Sequence, residues 1–278
     1  MSLTVDENSF ARAQALLTDG DYAEGWPLYE TRPNRFTTNA RQLSYPEWRG
    51  EDLAGKRLLV WPEQGFGDQI MAARFLNRTG AAKVSVATRP PLARILAPLV
   101  DAVVDLSPGS TGVPRHDLWA LAMSLPYRLG ARADNLPSAP YLAATEVRTV
   151  GSIGVSWRGE PSNALSAFRA LPEAQARRLL SLPGAVDLDP AVTGARDFQD
   201  TANIIAGLDL VISIDTANAH LAGAMGANCW TLLSTEYSEW RWMRERTDSP
   251  WYPTMRLWRQ PEPGAWAPVI DEVLAALA

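Results

Sequence analysis

The spacing of apolar positions changes along the chain. Between Lys56 and about residue 122, short apolar runs rich in Leu, Val and Ala alternate with longer stretches of helical spacing. Strands and helices that alternate in this way form parallel sheets, because each helix carries the chain back over the sheet. The pattern predicts strands at 57–61, 83–87, 102–106 and, by a weaker pattern, 117–122, with helices near 68–79 and 90–99.

A proline-rich stretch at 136–142 interrupts this alternation, which resumes at residue 152. The second half predicts strands at 152–157, 185–188, 208–214, 229–233 and 255–258, and a last helix at 265–278. We therefore expect two doubly wound α/β domains, at 51–148 and 149–278. The carboxyl ends of their strands would face a common cleft, where ligands of such sheets bind.

Residues 8–31 have helical spacing instead, with a break at Asp19-Gly20-Asp21. The apolar positions of the two predicted helices are Ala11, Ala15, Leu16, Trp26 and Tyr29. The pair resembles one tetratricopeptide-type repeat, and a single repeat cannot bury both of its faces. We expect this hairpin, with a connector to residue 50, to pack on the domain that follows. Contact with a partner protein is the alternative.

Composition and charge exclude several classes of function. The 278 residues carry a formal net charge of −5, and the sequence pI is near 5.2, so no basic surface is expected for nucleic acid or an anionic membrane. Cys229 is the only cysteine, which excludes an intramolecular disulfide and a cysteine-based metal cluster. The first residues lack the apolar core of a signal peptide, and no apolar run is long enough to span a bilayer. We therefore expect a cytoplasmic protein.

Polar residues gather where the strand at 208–214 meets the next helix, in DLVISIDTANAHLAGAMG (209–226). Asp215 can cap a helix that begins at Thr216. The first N–H groups, around Thr216, Ala217 and Asn218, would then form an anion site suited to phosphate. The alternative is a capped turn without a ligand, in which Asn218 is solvated and His220 is an ordinary hydrogen-bonded helix residue.

A similar junction, VWPEQGFGDQIMAARF (60–75), lies in the first domain. Gly65 and Gly67 would let the backbone turn tightly, and Asp68 would stand at or near the helix start. The stretch lacks the third glycine of a dinucleotide fingerprint and the Gly-Lys-Ser/Thr of a Walker loop, which disfavours a nicotinamide-dependent oxidoreductase. Asp68 is then either a helix cap or, at a cleft wall, a general base.

Four segments, taken together and in this order, resemble glycosyltransferase family 9, the ADP-heptose:lipopolysaccharide heptosyltransferase type, in its tetratricopeptide-linked branch. They are EQGFGDQI (63–70), GVSWRG (154–159), LDLVISIDTANAHLAGAMG (208–226) and DSPWYPTMRLWRQ (248–260). The likeness runs from about residue 22 to the C-terminus. It implies a GT-B-like pair of Rossmann-type domains, with the nucleotide-sugar donor held mainly by the second domain and the acceptor mainly by the first.

The resemblance also implies residue roles. The catalytic aspartate of the family falls on Asp68. The backbone of Gln64, Gly65 and Gly67 would line the cleft beside it. The implied donor and phosphate positions are Arg158, Arg169, Asp215, Thr216, Ala217, Asn218 and His220. Among these, Arg169 is the best match for the cation that would neutralise the leaving diphosphate, and Arg158 is the second choice. The implied reaction is an inverting, metal-independent sugar transfer from a nucleotide diphosphate to an acceptor hydroxyl, with no cofactor beyond the donor.

Two segments depart from the family pattern. RGEPSNALSAFRALP (158–172) stands where the repeat-linked branch carries Asn-Pro, His and Asp before Arg-Ser, and Glu160 brings negative charge to the implied diphosphate. DLDP (187–190) stands where a Leu-Gln pair is usual. Either the donor differs or catalysis is weakened, so the alternative function is a catalytically silent nucleotide-sugar-binding or scaffold protein.

Three further patterns have simpler explanations. The Asp-x-Asp at 187–189 matches metal-dependent glycosyltransferases, but so short a pattern arises by chance and belongs to another fold. The Trp- and Arg-rich segment 239–260 could stack a sugar or a base, and core packing with stacked guanidinium groups is the preferred interpretation. His116 is expected at the surface or in a turn.

Overall fold

The computed structural model describes residues 7–110, 112–137, 139–160, 166–236 and 238–278. The chain divides into two compact units, here called unit 1 and unit 2, and the boundary in the sequence falls between Tyr141 and Leu142. Each unit contains one sheet, and all neighbouring strands within both sheets run parallel. The predicted α/β class is confirmed.

Unit 1 has a four-stranded sheet in the order β3-β2-β1-β4. Its strands are β1 (Arg57–Trp61), β2 (Lys83–Thr88), β3 (Ala102–Asp105) and β4 (Leu118–Leu121). Its helices are α1 (Glu7–Thr18), α2 (Tyr22–Tyr29), α3 (Asn34–Thr37), α4 (Phe66–Ala73), α5 (Pro90–Leu96) and α6 (Leu125–Arg128). Short 3-10 turns lie at Asn39–Gln42, Leu76–Arg78, Ala97–Leu99 and Ala122–Ser124.

Unit 2 has a five-stranded sheet in the order β6-β5-β7-β8-β9. Its strands are β5 (Ile153–Ser156), β6 (Ala185–Asp187), β7 (Leu210–Ile214), β8 (Cys229–Leu233) and β9 (Met255–Arg259). Its helices are α7 (Ser166–Arg169), α8 (Glu173–Leu180), α9 (Pro190–Thr193), α10 (Phe198–Ile205), α11 (Ala217–Ala224) and α12 (Trp266–Leu277), with a 3-10 turn at Trp240–Trp242. Every residue of β7 is buried, as expected for a parallel strand covered on both faces.

The predicted strands are all present, and two predicted helices are shorter than expected. The helix expected at 68–79 begins earlier, at Phe66, and ends at Ala73 before a separate 3-10 turn. The helix expected at 90–99 ends at Leu96. Pro98 explains this end, because proline has no N–H to donate to the carbonyl four residues earlier.

The N-terminal hairpin packs on unit 1, as predicted, and the Nε1–H of Trp26 donates to the carbonyl of Ala131 at 2.9 Å. Within α1, Ala13 and Leu17 are buried, whereas Ala11 and Ala15 are exposed and Leu16 is half-buried. The cause is the close approach of α2, since a Cβ on Gly25 would lie 2.7 Å from Leu17 Cδ2.

Residues 142–148 belong to the contacts of unit 2. The N–H of Leu142 donates to the carbonyl of Ala224 at 3.2 Å, and the N–H of Arg148 donates to that of Asn203 at 2.8 Å. No helix within the described ranges is long and apolar enough to cross a membrane.

His116 is buried, so its expected surface position is wrong. Its Nδ1 lies 2.8 Å from the carbonyl of Pro114, and its Nε2 lies 2.8 Å from Ser85 Oγ on β2. Both ring nitrogens therefore have partners inside unit 1, which explains why a polar ring is tolerated there.

Candidate functional site

Both candidate junctions lie where the strand order of a sheet reverses. In unit 1, β2 and β4 flank β1, and the loop before Asp68 leaves the carboxyl end of β1. In unit 2, β6 and β7 flank β5, and Asp215 directly follows β7. At such a reversal the connections leave toward opposite sides, which opens a crevice at the strand ends where doubly wound sheets bind ligands. Each unit thus places its candidate residues at its own switch point.

The helix after β7 begins one residue later than predicted, and Asp215 does not cap it. Thr216 occupies the N-cap position with an extended backbone, and α11 starts at Ala217. The hydroxyl of Thr216 lies 3.1 Å from Ser213 Oγ. The carboxylate of Asp215 is paired with Arg169 instead.

Arg169, at the end of α7, brings a cation to this helix start. Its Nη1 lies 3.3 Å from both the carbonyl oxygen and Oδ2 of Asp215, and its Nη2 lies 3.5 Å from Glu239 Oε1. The Arg169 side chain is 14% exposed and that of Asp215 is 3% exposed. Because this ion pair is largely buried, salt screens the attraction between Arg169 and Asp215 only weakly.

The loop after β5 runs beside the same helix start. Asn218 Nδ2 donates to Ser156 Oγ at 3.2 Å, which joins α11 to the carboxyl end of β5. A Cβ on Gly159 would lie 2.8 Å from Ser166 Oγ and 3.9 Å from Thr216 Cγ2. A side chain at Gly159 would therefore crowd Ser166 and make only ordinary contact with Thr216. Residues 161–165 of the atypical segment lie outside the described residues.

His220 is buried and joins α11 to two residues of the Trp-rich segment. Its Nδ1 lies 2.8 Å from Tyr252 Oη, and Nη1 of Arg241 lies 3.4 Å from its Nε2. A guanidinium only donates hydrogen bonds, so His220 Nε2 accepts from Arg241 and His220 Nδ1–H donates to the Tyr252 hydroxyl. His220 Nε2 also lies 3.9 Å from Asp215 Oδ1. These contacts brace the junction between α11 and the Trp- and Arg-rich segment.

Sequence reasoning did not assign Glu239, Arg241 and Tyr252 to this site. All three belong to the Trp- and Arg-rich segment, whose tryptophans are buried at Trp240, Trp242 and Trp251, as core packing predicts. The guanidinium of Arg241 lies over the ring of Trp240 at 5.1 Å. The available signal was the mixture of charges among large aromatics, but one sequence does not reveal which charges turn inward.

Arg158, the second candidate cation, pairs with Asp189 and not with the junction residues above. Its Nε lies 3.0 Å from Asp189 Oδ2, and its guanidinium lies over the Trp157 ring at 4.6 Å. Asp189 also accepts from the N–H of Ala191, and Asp187 accepts from Trp157 Nε1. The hydrogen bond from the Ala191 N–H lowers the pKa of Asp189 below its usual value. Burial opposes this shift and Arg158 adds to it. Both carboxylates of the Asp-x-Asp thus make structural contacts.

In unit 1, Asp68 is the third residue of α4, and Gly65 is the N-cap. The N–H of Gly65 donates to Asp68 Oδ2 at 2.9 Å, so the carboxylate stabilises its own helix start. Gly67 lies within the first turn, and Gln64 has φ +57°. Asp68 is only half-buried, which leaves its side chain accessible to solvent.

The structure thus brings together Asp215, Thr216, Asn218 and His220 with Arg169 in unit 2, and Gln64, Gly65, Gly67 and Asp68 in unit 1. Among the described residues, no group of three His, Cys, Asp or Glu side chains is arranged to hold a metal ion.

Comparisons with known proteins add two similarities. No family model matches the chain. It is 28% identical to Protein FlbA of Caulobacter vibrioides, in an alignment that covers 96% of this chain and 54% of FlbA. The chain therefore spans about half the length of this relative.

A solved structure, the glycosyl transferase family 9 protein from Veillonella parvula, is similar in fold. The TM-score is 0.54 at 11% sequence identity, over 81% of this chain and 97% of that protein. At this identity the likeness establishes the shared fold, which agrees with the α/β architecture above.

Proposed function

We propose that this chain is a glycosyltransferase that moves a sugar, a hexose or heptose, from a nucleotide-diphosphate donor to an acceptor hydroxyl. Unit 2 holds the donor and unit 1 supplies the base. The fold likeness to a glycosyl transferase family 9 protein supports the reaction class, and the switch-point position of both junctions supports two binding sites.

The observation that carries the donor assignment is the position of Arg169 at the start of α11. Its guanidinium lies 3.3 Å from the carbonyl oxygen of Asp215, the residue before the N-cap Thr216. A helix N-terminus attracts anions through its N–H groups and dipole, and a guanidinium adds charge-assisted hydrogen bonds to phosphate oxygens. Together they would stabilise the charge that develops on the departing diphosphate, without a metal ion.

Asp68 is the proposed general base. A carboxylate has about four acceptor positions. The hydrogen bond from Gly65 orients the Asp68 carboxylate and uses one of these positions. The carboxylate would take the proton of the acceptor hydroxyl as that oxygen attacks the anomeric carbon. Attack from the face opposite the leaving diphosphate inverts that carbon.

A specific observation favours the catalytically silent alternative. The guanidinium of Arg169 already faces two carboxylates, Asp215 at 3.3 Å and Glu239 at 3.5 Å. These acidic groups compete with a diphosphate for the same cation. A protein that binds a nucleotide sugar weakly and transfers nothing would show the same arrangement.

The donor site is tested with a panel of nucleoside diphosphates and nucleotide sugars, screened by thermal shift and measured by calorimetry. Arg169→Ala should weaken binding of the best ligand about 10- to 100-fold, because a hydrogen bond to a charged group contributes roughly 1.5–3 kcal/mol. Glu239→Gln should tighten binding by removing a competing carboxylate. Arg158→Ala is the matched control and should leave the affinity unchanged.

Catalysis is tested with Asp68→Asn, which keeps the size of the side chain and an oxygen for the Gly65 hydrogen bond. Turnover should fall roughly 10²–10⁴-fold while donor affinity is unchanged. Donor binding without turnover in the wild type would support the silent alternative. Failure of every nucleotide in the panel to bind would overturn the proposal.

A further inference from the structure

A buried ion pair connects the N-terminal hairpin to the loop that precedes Asp68. Arg32, three residues after α2, donates from Nε and Nη2 to the two carboxylate oxygens of Glu63 at 2.8 and 2.6 Å. Both side chains are 1% exposed. A bidentate guanidinium-carboxylate contact fixes orientation as well as distance, so Arg32, which directly follows the hairpin, orients the Glu63 carboxylate.

The hairpin side of this contact is itself held in place. Arg32 Nη1 donates to Glu30 Oε1 at 2.8 Å, and Glu30 Oε2 accepts from Arg128 Nη2 at 2.9 Å. Arg32 Nη2 also donates to Ser124 Oγ at 2.8 Å. Through Arg32, Glu63 is therefore linked to Glu30, Ser124 and Arg128.

The residue after Glu63 is held by a second contact. Gln64 has φ +57°, a left-handed conformation that residues other than glycine seldom adopt. Its Nε2 donates to the hydroxyl of Tyr29, on α2, at 3.0 Å. A strained backbone persists only where its surroundings hold it, and Tyr29 is part of those surroundings. The next residue, Gly65, supplies the N–H that binds Asp68.

We propose that Tyr29 and Arg32 are positioning residues for Asp68. Through Gln64 and Glu63 they hold the loop in the one conformation that presents the Gly65 N–H to the Asp68 carboxylate. The hairpin is then part of the unit 1 site and not an appendage for partner binding. The catalytic consequence rests on the proposed function, whereas the control of the loop does not.

The test is amide hydrogen exchange, read by NMR in the full chain, for Tyr29→Phe. This variant removes only the hydroxyl that Gln64 contacts and keeps the ring. Exchange at Gly65 should rise about two- to tenfold, the range expected for loss of one hydrogen bond, while the β1 amide of Leu59 is unchanged. Tyr45→Phe is the matched control, because the Tyr45 hydroxyl donates to Pro114 and not to the loop; it should leave Gly65 unchanged.

Unchanged exchange at Gly65 in Tyr29→Phe, or an equal rise at Gly65 and Leu59, would overturn the inference, since the second result indicates general destabilisation. In an active enzyme, Tyr29→Phe should lower kcat several-fold with an unchanged KM for the donor, and this effect should vanish in the Asp68→Asn background. If the loop responds and the wild type shows no turnover, the proposed function fails and the control of the loop stands.

Discussion

Replacing Glu30 by Gln perturbs a buried carboxylate that contacts three guanidinium groups of unit 1. Its oxygens contact Arg32 at 2.8 Å, Arg128 at 2.9 Å and Arg35 at 3.2 Å, and accept from Ser124 at 2.8 Å. The Glu30 side chain is 3% exposed. A neutral amide in its place removes one buried negative charge from among three guanidinium groups, of which Arg32 still faces Glu63 and Arg35 still faces Glu47.

The expected loss is about 3–5 kcal/mol of unfolding free energy, the cost of removing one partner from a buried ion pair. Three charged contacts are lost together, but their energies are not additive. For a chain of this size the loss corresponds to a melting temperature lower by roughly 6–20 °C. It is a large part of the 5–15 kcal/mol of stability typical of a folded protein.

Urea denaturation at pH 7, followed by tryptophan fluorescence, measures the difference. Glu51→Gln is the control: Glu51 is exposed and accepts from the N–H of Arg49, so we expect a change of about 0.5 kcal/mol or less. A Glu30→Gln loss below about 1 kcal/mol would refute the reasoning, because it would mean that the guanidinium groups do not depend on this carboxylate.

The pH dependence gives a second check of the same variant. Burial opposes ionisation of Glu30, but Arg32, Arg35 and Arg128 outweigh it and hold its pKa below the ordinary 4.5. A carboxylate with a lowered pKa stabilises the fold fully above the unfolded pKa and loses this contribution as the pH falls through the folded one. The difference between wild type and Glu30→Gln should therefore be constant above about pH 5 and shrink below pH 4.5.

Three further outcomes are expected in unit 2. Gly223→Ala should lower the unfolding free energy by about 1–3 kcal/mol in urea denaturation, because a Cβ there would lie 2.5 Å from the Tyr252 ring. Burial raises the pKa of Cys229 to about 12, so at pH 8 a disulfide reagent should react with this thiol only as fast as the protein opens. Asp189→Ala should cost about 1 kcal/mol at pH 7 through loss of the cap of α9. Because the pKa of Asp189 is lowered, that cost should disappear as the pH falls below 3.8, which melting curves across this range would follow.

Each of these three predictions would be contradicted by one specific result. Wild-type stability of Gly223→Ala would mean that the Tyr252 ring moves aside freely. Rapid modification of Cys229 in the folded protein would contradict its burial. A cost for Asp189→Ala that persists at low pH would point to packing and not to charge.

The sequence alone determined most of the secondary structure, because hydrophobic period and turn residues act over a few neighbouring positions. The strands at 57–61 and 229–233 match their predicted bounds, and both strand-to-helix junctions lie where the motifs indicated. The sequence did not determine which face of α1 is buried, since its pattern of Ala and Leu fits two adjoining stripes and the close approach of Gly25 selects one.

Only the tertiary structure decided the strand order and the partners of the charged side chains. The orders β3-β2-β1-β4 and β6-β5-β7-β8-β9 place both junctions at switch points, and an alternating pattern of strands and helices is compatible with other orders. Arg169 contacts Asp215, 46 residues away, and Arg32 contacts Glu63, 31 residues away. A long flexible cation can reach many carboxylates, and packing across the whole unit selects which pair is buried together.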